Sequence, residues 1–173
     1  LPGWLPSLFR RTGATALTDR RGECVYAGCP HYRRCFIERA ERASRGADIV
    51  IAASHGGWDA SAYTSTMENA NYHLAKVAGI DGILMGHSHS EFPNAACTST
   101  NCSATGVDKV KGTLHGVPAV MPSYWGKAIG VIDYNLVVKN GKWTIDTSKT
   151  VVSIRKALLD AAAKTYVAVD PTI

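Results

Sequence analysis

Two short loops carry histidines among glycines and small residues. His55 lies in "SHGG", and His87 and His89 lie in "GHSH". Each loop follows a continuous apolar run, "ADIVIAA" or "IDGILM", which is typical of a buried parallel strand. Ligands gather beyond the carboxyl ends of such strands, and imidazole is a good ligand for Zn, Mn or Fe. We therefore predict that the three histidines meet in a divalent-metal site; alternatively, each only satisfies local loop backbone.

The elements around these loops follow the order strand, helix, strand. Residues 47–54 and 80–86 are the predicted strands, and residues 64–79 are predicted to form an amphipathic helix between them. This order indicates a right-handed βαβ unit. The later sequence is β-rich, with a hairpin turn at Asn140-Gly141. The predicted fold class is α/β, with a βαβ unit followed by a hairpin-rich sheet.

The charges divide the chain into two parts. Residues 1–46 hold nine Arg, no Lys and four acidic residues, a net charge of +5, whereas residues 47–173 are neutral and use Lys almost exclusively. Residues 32–46 are predicted to form a helix that ends at Gly46. We predict a loop-plus-helix segment over 1–46 and a second unit over 47–173. The Arg-rich part is either a basic arm that binds nucleotide or nucleic acid, or a segment of different origin.

Three cysteines are closely spaced in the Arg-rich part. Cys24, Cys29 and Cys35 follow the pattern C-x4-C-x5-C. Thiolates at this spacing suit Zn or an Fe–S cluster. The alternative is that they are small buried residues, or disulfide partners if the chain is exported.

The histidine loops belong to a longer pattern with a specific resemblance. The motifs "SHGG", "GIDGILMGHSHSEFP" and "GVPAVMPSYWG" occur in that order. Over residues 47–173 the sequence resembles the second half of the metallophosphatase domain of bacterial 5′-nucleotidases and 2′,3′-cyclic-nucleotide 2′-phosphodiesterase/3′-nucleotidases. The resemblance implies a partial calcineurin-like sandwich, a periplasmic origin and hydrolysis of nucleotides with two metal ions. By the same resemblance, His55 and His87 should ligate one metal and His89 the other.

The sequence departs from that family in one respect. Residues 1–54 contain no Asp-x-His pair, no bridging Asp motif and no Asn-His-Glu stretch, which the family places before "SHGG". We therefore assign no catalytic residue. We expect a vestigial site with weak, substoichiometric metal and without full activity. The alternative is an active phosphodiesterase or nucleotidase that is completed by oligomerisation.

The resemblance suggests roles for three further residues of the 47–173 segment. Cys97 and Cys102, in "CTSTNC", suit a short disulfide loop of a periplasmic relative. Trp125, in "PSYWG", could stack on a nucleobase by the family resemblance. A Trp is more often part of the core, so we expect Trp125 to be buried.

A second resemblance concerns the beginning of the chain. Residues 1–52, with "ALTDRRGEC" and "CPHYRRCFIERA", resemble the iron–sulfur segment of a DinG-type DNA helicase. The family's fourth cluster cysteine, which lies far upstream of the other three, is absent here, as are a Walker A loop and a second motor domain. We therefore expect neither helicase activity nor a stable cluster. The two resemblances meet near residues 47–53, which predicts a chimera joined at a strand that both families could share.

Composition sets the remaining expectations. Hydrophobic residues make up 46% of the chain, as in globular proteins. No apolar run approaches the ~20 residues of a membrane span, and no secretory signal is visible, so we expect no membrane partner and leave the compartment open. A half-domain exposes a sheet edge and an apolar face, from which we predict a homo-oligomer.

Overall fold

The computed structural model describes residues 17–18, 24–25, 46–160, 162, 164–169 and 171–172. Strands dominate this part of the chain, and helix is limited to α1 (Asn71–Leu74) and a 3-10 turn (Asn101–Ser103). The strands are β1 (Leu17–Thr18), β2 (Cys24–Val25), β3 (Ile51–Ala53), β4 (Gly82–Leu84), β5 (Glu91–Phe92), β6 (Val107–Asp108), β7 (Thr113–Leu114), β8 (Val117–Pro122), β9 (Ala128–Asp133), β10 (Leu136–Lys139), β11 (Lys142–Ile145), β12 (Val151–Lys156), β13 (Leu158–Asp160) and β14 (Thr165–Tyr166). None of the described helices is long and apolar enough to cross a membrane.

The main sheet confirms the predicted parallel strand pair. Its order is β3-β4-β8-β7-β6, and β5 pairs with the end of β8. Strands β3, β4 and β8 are parallel, with Ala52 opposite Ile83 and Ile83 opposite Ala119. Just before β3, the Asp81 N–H donates to Val50 O and the Val50 N–H donates to Asp81 Oδ2, both at 2.8 Å. The carboxyl ends of β3 and β4 therefore lie side by side, as the position of the histidine loops requires.

The helix between these strands is much shorter than the predicted one over 64–79. Helix α1 covers only Asn71–Leu74, and the chain then continues in turns to Gly79, where φ is +80°. Ala70, just before α1, forms an antiparallel bridge with Trp58. Asparagine side chains in this region bond to loop backbone, which competes with helix formation. The chain is thus mostly β where an α/β fold with a full helix is predicted.

The β9–β12 ribbon forms a second layer over β8. Gly130 of β9 lies so close to Val120 that an added Cβ would meet the Val120 side chain at 2.6 Å. Tyr134, just after β9, donates its hydroxyl to the Asp81 carbonyl oxygen at 3.1 Å and covers Gly82. The second layer therefore requires small residues at its contact points with the main sheet.

The predicted hairpin at Asn140-Gly141 is confirmed. Strands β10 and β11 pair antiparallel around it, with Lys139 opposite Lys142. Asn140 has φ +52° and Gly141 has φ +75°, the conformation that a two-residue type I′ turn requires.

The core lies on the α1 side of the main sheet. Its fully buried side chains include Ile83, Leu114 and Phe92, and the Trp58 ring packs at 5.3 Å from the Phe92 ring. The other face of β3 and β4 is only partly covered, because Tyr134 packs over Gly82 while Ile51 and Leu84 remain exposed at 38% and 45%.

The predicted division of the chain into 1–46 and 47–173 falls mostly outside the described residues. Of the first segment, only the short β1–β2 pair and Gly46 are described. The helix predicted over 32–46 lies outside the described residues except for Gly46, whose φ of +85° suits a C′ position.

Candidate functional site

The two histidine loops are hydrogen-bonded to each other at the carboxyl ends of β3 and β4. Ser54 donates its backbone N–H to Leu84 O at 2.9 Å, and Gly86 donates to Gly56 O at 3.2 Å. His55, which lies between these bonded residues, is exposed. The strand ends thus position the His55 side chain in solvent while its neighbours are fixed.

His87 lies next to His55. Their ring centroids are 5.3 Å apart with planes inclined by 63°. The backbone of His87 has φ +65°, a left-handed conformation in which a non-glycine residue is uncommon. Its Nε2 lies 2.9 Å from Glu68 Oε1, from the segment before α1. His55, His87 and Glu68 therefore form a small cluster of two imidazoles and one carboxylate.

His89 does not join this cluster, contrary to the predicted convergence of three histidines. Its ring stacks on Tyr124 at 4.7 Å with an angle of 23°. Its backbone is also left-handed, with φ +57°, and Ser88 donates its N–H to Gly86 O at 2.8 Å. This tight turn gives neighbouring histidines different partners. Among the described residues, no three His, Cys, Asp or Glu side chains form a group that could hold a metal ion.

Two asparagines that are not among the predicted site residues hold the first histidine loop. Asn69 Oδ1 accepts a hydrogen bond from Gly57 N at 2.8 Å. Asn71 is fully buried and donates its Nδ2 to Gly56 O at 2.5 Å. Buried polar side chains are normally hydrogen-bonded, so the two amides fix the loop that carries His55. The available signal was the pair of Asn residues, spaced by two, in a segment that reads as an amphipathic helix.

Two buried oxygens near this loop lack hydrogen-bond partners among the described residues. They are Ser54 Oγ and Asn71 Oδ1. An unmet buried acceptor costs about 1–3 kcal/mol. Whether a metal fits depends instead on the His, Cys, Asp and Glu side chains of the described residues, no three of which form a group that could hold the ion. A metal ion therefore does not fit the cluster in this conformation.

The segment after β8 contradicts the expectation that Trp125 is buried. Its side chain is 86% exposed, and its backbone has φ +54°. The ring packs only edge-on against Tyr124, with centroids 5.0 Å apart. Lys127 donates from Nζ to the Tyr124 hydroxyl at 2.7 Å and lies over its ring at 3.9 Å. The turn between β8 and β9 projects this Trp, because the strand pairing of β8 ends before it at Pro122.

A second pair of histidines lies away from the loops. His73 Nε2 lies 2.9 Å from Ser61 O, and His115 packs on the Tyr72 ring at 4.5 Å. The Nε2 atom of His115 is buried without a hydrogen-bond partner among the described residues. Burial, together with the positive charge of Lys76 and the neighbouring His73, lowers the pKa of His115 below its usual 6.5. Both histidines thus pack against neighbouring side chains and backbone, away from the two histidine loops.

The cysteines divide into one pair that is described and one group that is not. Cys97 and Cys102 are joined by a disulfide across the 3-10 turn. Lys109 Nζ donates to Cys97 O at 2.5 Å, which fixes this loop further. The backbone of Cys24 lies in β2, whereas residues 29 and 35 lie outside the described part of the chain, so a metal or cluster at Cys24, Cys29 and Cys35 stays a prediction.

Comparison with known proteins gives a consistent relationship. No protein-family model matches the chain. The chain is 40% identical over 130 residues to the 2′,3′-cyclic-nucleotide 2′-phosphodiesterase/3′-nucleotidase of Salmonella typhimurium, a match that covers 75% of this chain and 19% of that protein. It is 43% identical over 107 residues to the trifunctional nucleotide phosphoesterase protein YfkN of Bacillus subtilis, 61% of this chain and 7% of that protein.

The chain is partly homologous to nucleotide phosphoesterases. The crystal structure of the calcineurin-like phosphoesterase YfkN from Bacillus subtilis superimposes with a TM-score of 0.65 and 35% identity, covering 73% of this chain and 36% of that one. This likeness confirms the predicted relationship to nucleotidases and the partial calcineurin-like fold. The chain spans about a fifth of the length of the first curated relative. None of these matches supports the helicase resemblance of residues 1–52, which stays a prediction.

Proposed function

We propose that this chain supplies the histidine-bearing edge of a nucleotide-hydrolysing phosphoesterase site and is not by itself a complete hydrolase. The observation that carries the proposal is the contact between the two histidine loops at the carboxyl ends of β3 and β4, with the rings of His55 and His87 5.3 Å apart. This arrangement lies in a chain that is 40% identical to a cyclic-nucleotide phosphodiesterase. Imidazole N–H groups at this edge can donate hydrogen bonds to phosphate oxygens.

The same cluster supports only weak divalent-metal binding. A cation bound by all three predicted ligands would have to displace Glu68 from His87 and turn His89 away from Tyr124. Each rearrangement lowers the net affinity for the metal, because the free energy of the broken contact is subtracted from the free energy of metal binding. We therefore expect substoichiometric Zn, Mn or Fe in the purified protein. We assign no chemical step to the metal.

Motifs that are missing before the first histidine loop also support an incomplete site. The Asp-x-His and Asn-His-Glu motifs implied by the family resemblance are absent from residues 1–54. An in-line phosphoryl displacement needs clamps on both the attacking and the leaving oxygen, and one pair of imidazoles cannot supply both. We propose that residues 1–46 have a different origin, since their Arg-rich composition does not continue into 47–173.

The partly exposed face of β3 and β4 supports self-association as part of this proposal. Ile51 and Leu84 are exposed there, and β3 is the edge strand of its sheet within the described part of the chain. An unpaired edge beside apolar side chains is a common site of association. Light scattering of the purified chain should give the mass of a dimer or larger, and a monomer across the accessible concentrations would contradict it.

The test combines metal content with turnover. Elemental analysis of protein purified without chelator or added metal, followed by Mn²⁺ and Zn²⁺ titration, should show weak binding that His87→Ala removes. His31→Ala is the matched control, because it removes a histidine outside the loops and should leave binding intact. Hydrolysis of 2′,3′-cyclic AMP should be absent in the same preparations.

Three outcomes would contradict parts of the proposal. Efficient turnover with stoichiometric metal would refute the statement that the site is incomplete. Metal that persists in His87→Ala, and is accompanied by sulfide, would move the site to the cysteines. Absence of any metal or phosphate binding would refute the histidine edge as a functional site.

A further inference from the structure

We propose that the Cys97–Cys102 disulfide is a site of thiol–disulfide exchange, and that its reduction by a dithiol loosens the first histidine loop. The co-substrate is a small dithiol or a protein with a reactive pair of cysteines. Loosening of the loop is a change in its order and does not depend on what the loop binds. Only the consequence for ligand binding rests on the proposed function.

The two cysteines differ in their access to solvent. Cys97 is half-buried, whereas Cys102 is only 6% exposed. A thiolate attacks the disulfide sulfur that it can reach, so exchange begins at Cys97 Sγ. Lys109 Nζ donates to Cys97 O, which places an ammonium group beside this cysteine. Its positive charge attracts the anionic thiolate of the reductant.

Cys102 Sγ is the leaving group of that step, and Ser99 is placed to stabilise it. The Ser99 hydroxyl donates to Cys102 Sγ at 3.4 Å and also lies 3.4 Å from Cys97 Sγ. A hydrogen bond strengthens when its acceptor becomes an anion, so the hydroxyl favours the thiolate that develops on Cys102. A stabilised thiolate leaves faster.

The exchange balances with a dithiol as the reductant. One thiolate of the reductant bonds to Cys97 Sγ, and the electron pair of the broken S–S bond goes to Cys102 Sγ, which takes up a proton. The second thiol of the reductant then attacks the reductant sulfur of the mixed disulfide, and Cys97 leaves as the second protein thiol. Two electrons and two protons pass to the protein, and the reductant becomes a disulfide.

The ring that the disulfide closes reaches the chain just after the first histidine loop. Asn101 begins the 3-10 turn inside this ring, and its Oδ1 accepts the Ala60 N–H at 3.2 Å. Asn101 is joined directly to Cys102, so the closed ring restricts where its side chain lies. Reduction removes that restriction, and the hydrogen bond to Ala60 is then formed a smaller part of the time.

The residues after the ring contact the support of the same loop from the side of α1. Thr105 O accepts the hydroxyl of the buried Tyr72 at 2.7 Å. The neighbour of Tyr72 is Asn71, which donates to Gly56 O in the loop. The disulfide segment therefore contacts the loop region at two points, one directly after the loop and one through α1.

Hydrogen exchange followed by mass spectrometry tests this coupling on the full chain, with dithiothreitol as the reductant. Reduction should speed exchange in residues 56–61 by roughly 3- to 30-fold, the upper value being the most that opening so small a ring allows. The β10–β11 hairpin should not change. Cys97→Ser with Cys102→Ser should reproduce the fast exchange without reductant. Faster exchange throughout the chain would refute the coupling, because the disulfide would then stabilise only the fold as a whole.

A second variant tests the route through Asn101. Asn101→Ala should make exchange in residues 56–61 fast in both redox states, so that reduction adds little. Asn94→Ala is the matched control, because its side chain accepts only the nearby Ala96 N–H, and it should keep the full response to reduction. A full response in Asn101→Ala would refute this route.

The direction of attack is tested with glutathione, a monothiol that stops at the mixed disulfide. Peptide mapping should find glutathione on Cys97, and a mixed disulfide on Cys102 would overturn the assignment. Ser99→Ala should slow reduction by roughly 2- to 10-fold, the effect of one hydrogen bond to the leaving group. Thr98→Ala, which removes the neighbouring hydroxyl, is the control and should reduce at the original rate.

Titration with inorganic phosphate separates the coupling from the proposed function. Faster exchange in residues 56–61 together with weaker phosphate binding on reduction supports both. Faster exchange in a protein that binds neither phosphate nor metal in either redox state supports the coupling and refutes the proposed function. If phosphate binding depends on His87 but exchange in residues 56–61 does not respond to reduction, the coupling is refuted and the proposed function stands.

Discussion

Tyr134 offers the sharpest test of how the second layer is attached to the main sheet. Its hydroxyl donates to the Asp81 carbonyl oxygen at 3.1 Å and covers Gly82 at the start of β4. We predict that Tyr134→Phe destabilises the protein by about 0.5–1.5 kcal/mol at pH 8, the usual net value of one hydrogen bond. Urea unfolding followed by far-ultraviolet circular dichroism measures this difference.

The same residue predicts an alkaline dependence. Burial and the charge of Asp81 raise the pKa of Tyr134 to about 12 from the usual 10.0. Folding therefore favours the neutral phenol, so this contribution to stability is complete below pH 10 and is lost as the pH rises through 12. A difference of about two in pKa corresponds to roughly 2.7 kcal/mol, and we expect about 1 kcal/mol because the ring is only partly buried.

The assay compares the unfolding free energies of the original protein and Tyr134→Phe from pH 8 to pH 11.5. The original protein should lose about 1 kcal/mol more than the variant across that range. Tyr166→Phe, on the exposed strand β14, is the matched control and should follow the original protein. If the curves for the original protein and Tyr134→Phe run parallel, the proposed attachment of Tyr134 to β4 is wrong.

Three other predictions follow from described contacts. Because burial lowers the pKa of His115 below 6.5, the free energy of unfolding should fall as the pH drops below that value. In urea unfolding between pH 7.5 and pH 5, His115→Gln should reduce this dependence on pH. An unchanged pH dependence would contradict the lowered pKa of His115. Cys97→Ser with Cys102→Ser, or reduction by dithiothreitol, should cost about 2 kcal/mol for a loop this short, and a melting temperature indifferent to reductant would refute it. Asn71→Ala removes the donor to Gly56 O and should cost about 1–3 kcal/mol and abolish metal uptake in the titration, whereas retained uptake would show that the loop does not need it.

Patterns that depend on local geometry predicted the structure well. The Asn140-Gly141 turn is set by two left-handed backbones that few residues other than Asn and Gly adopt, so its sequence determines its place. The parallel pairing of β3 with β4 follows from their apolar runs and from the length of the connection between them.

Sequence patterns whose outcome depends on competition between distant partners predicted the structure poorly. The helix predicted over 64–79 is reduced to Asn71–Leu74 because the preceding residues form a bridge to Trp58 and amide bonds to the loop, which periodicity does not detect. The separation of His89 from the other histidines depends on a ring stacked from a distant turn. The exposure of Trp125 likewise depends on where strand β8 stops pairing.

The strand order also sets the sequence of events in folding. The β10–β11 hairpin closes over a two-residue turn and can form within microseconds. The parallel core cannot, because Ile83 must find Ala119 across a long intervening chain before β4 has its second neighbour. During synthesis, strands β3 and β4 therefore leave the ribosome well before β8, and one edge of β4 is without its partner strand until then. We expect slow, non-local steps to dominate refolding.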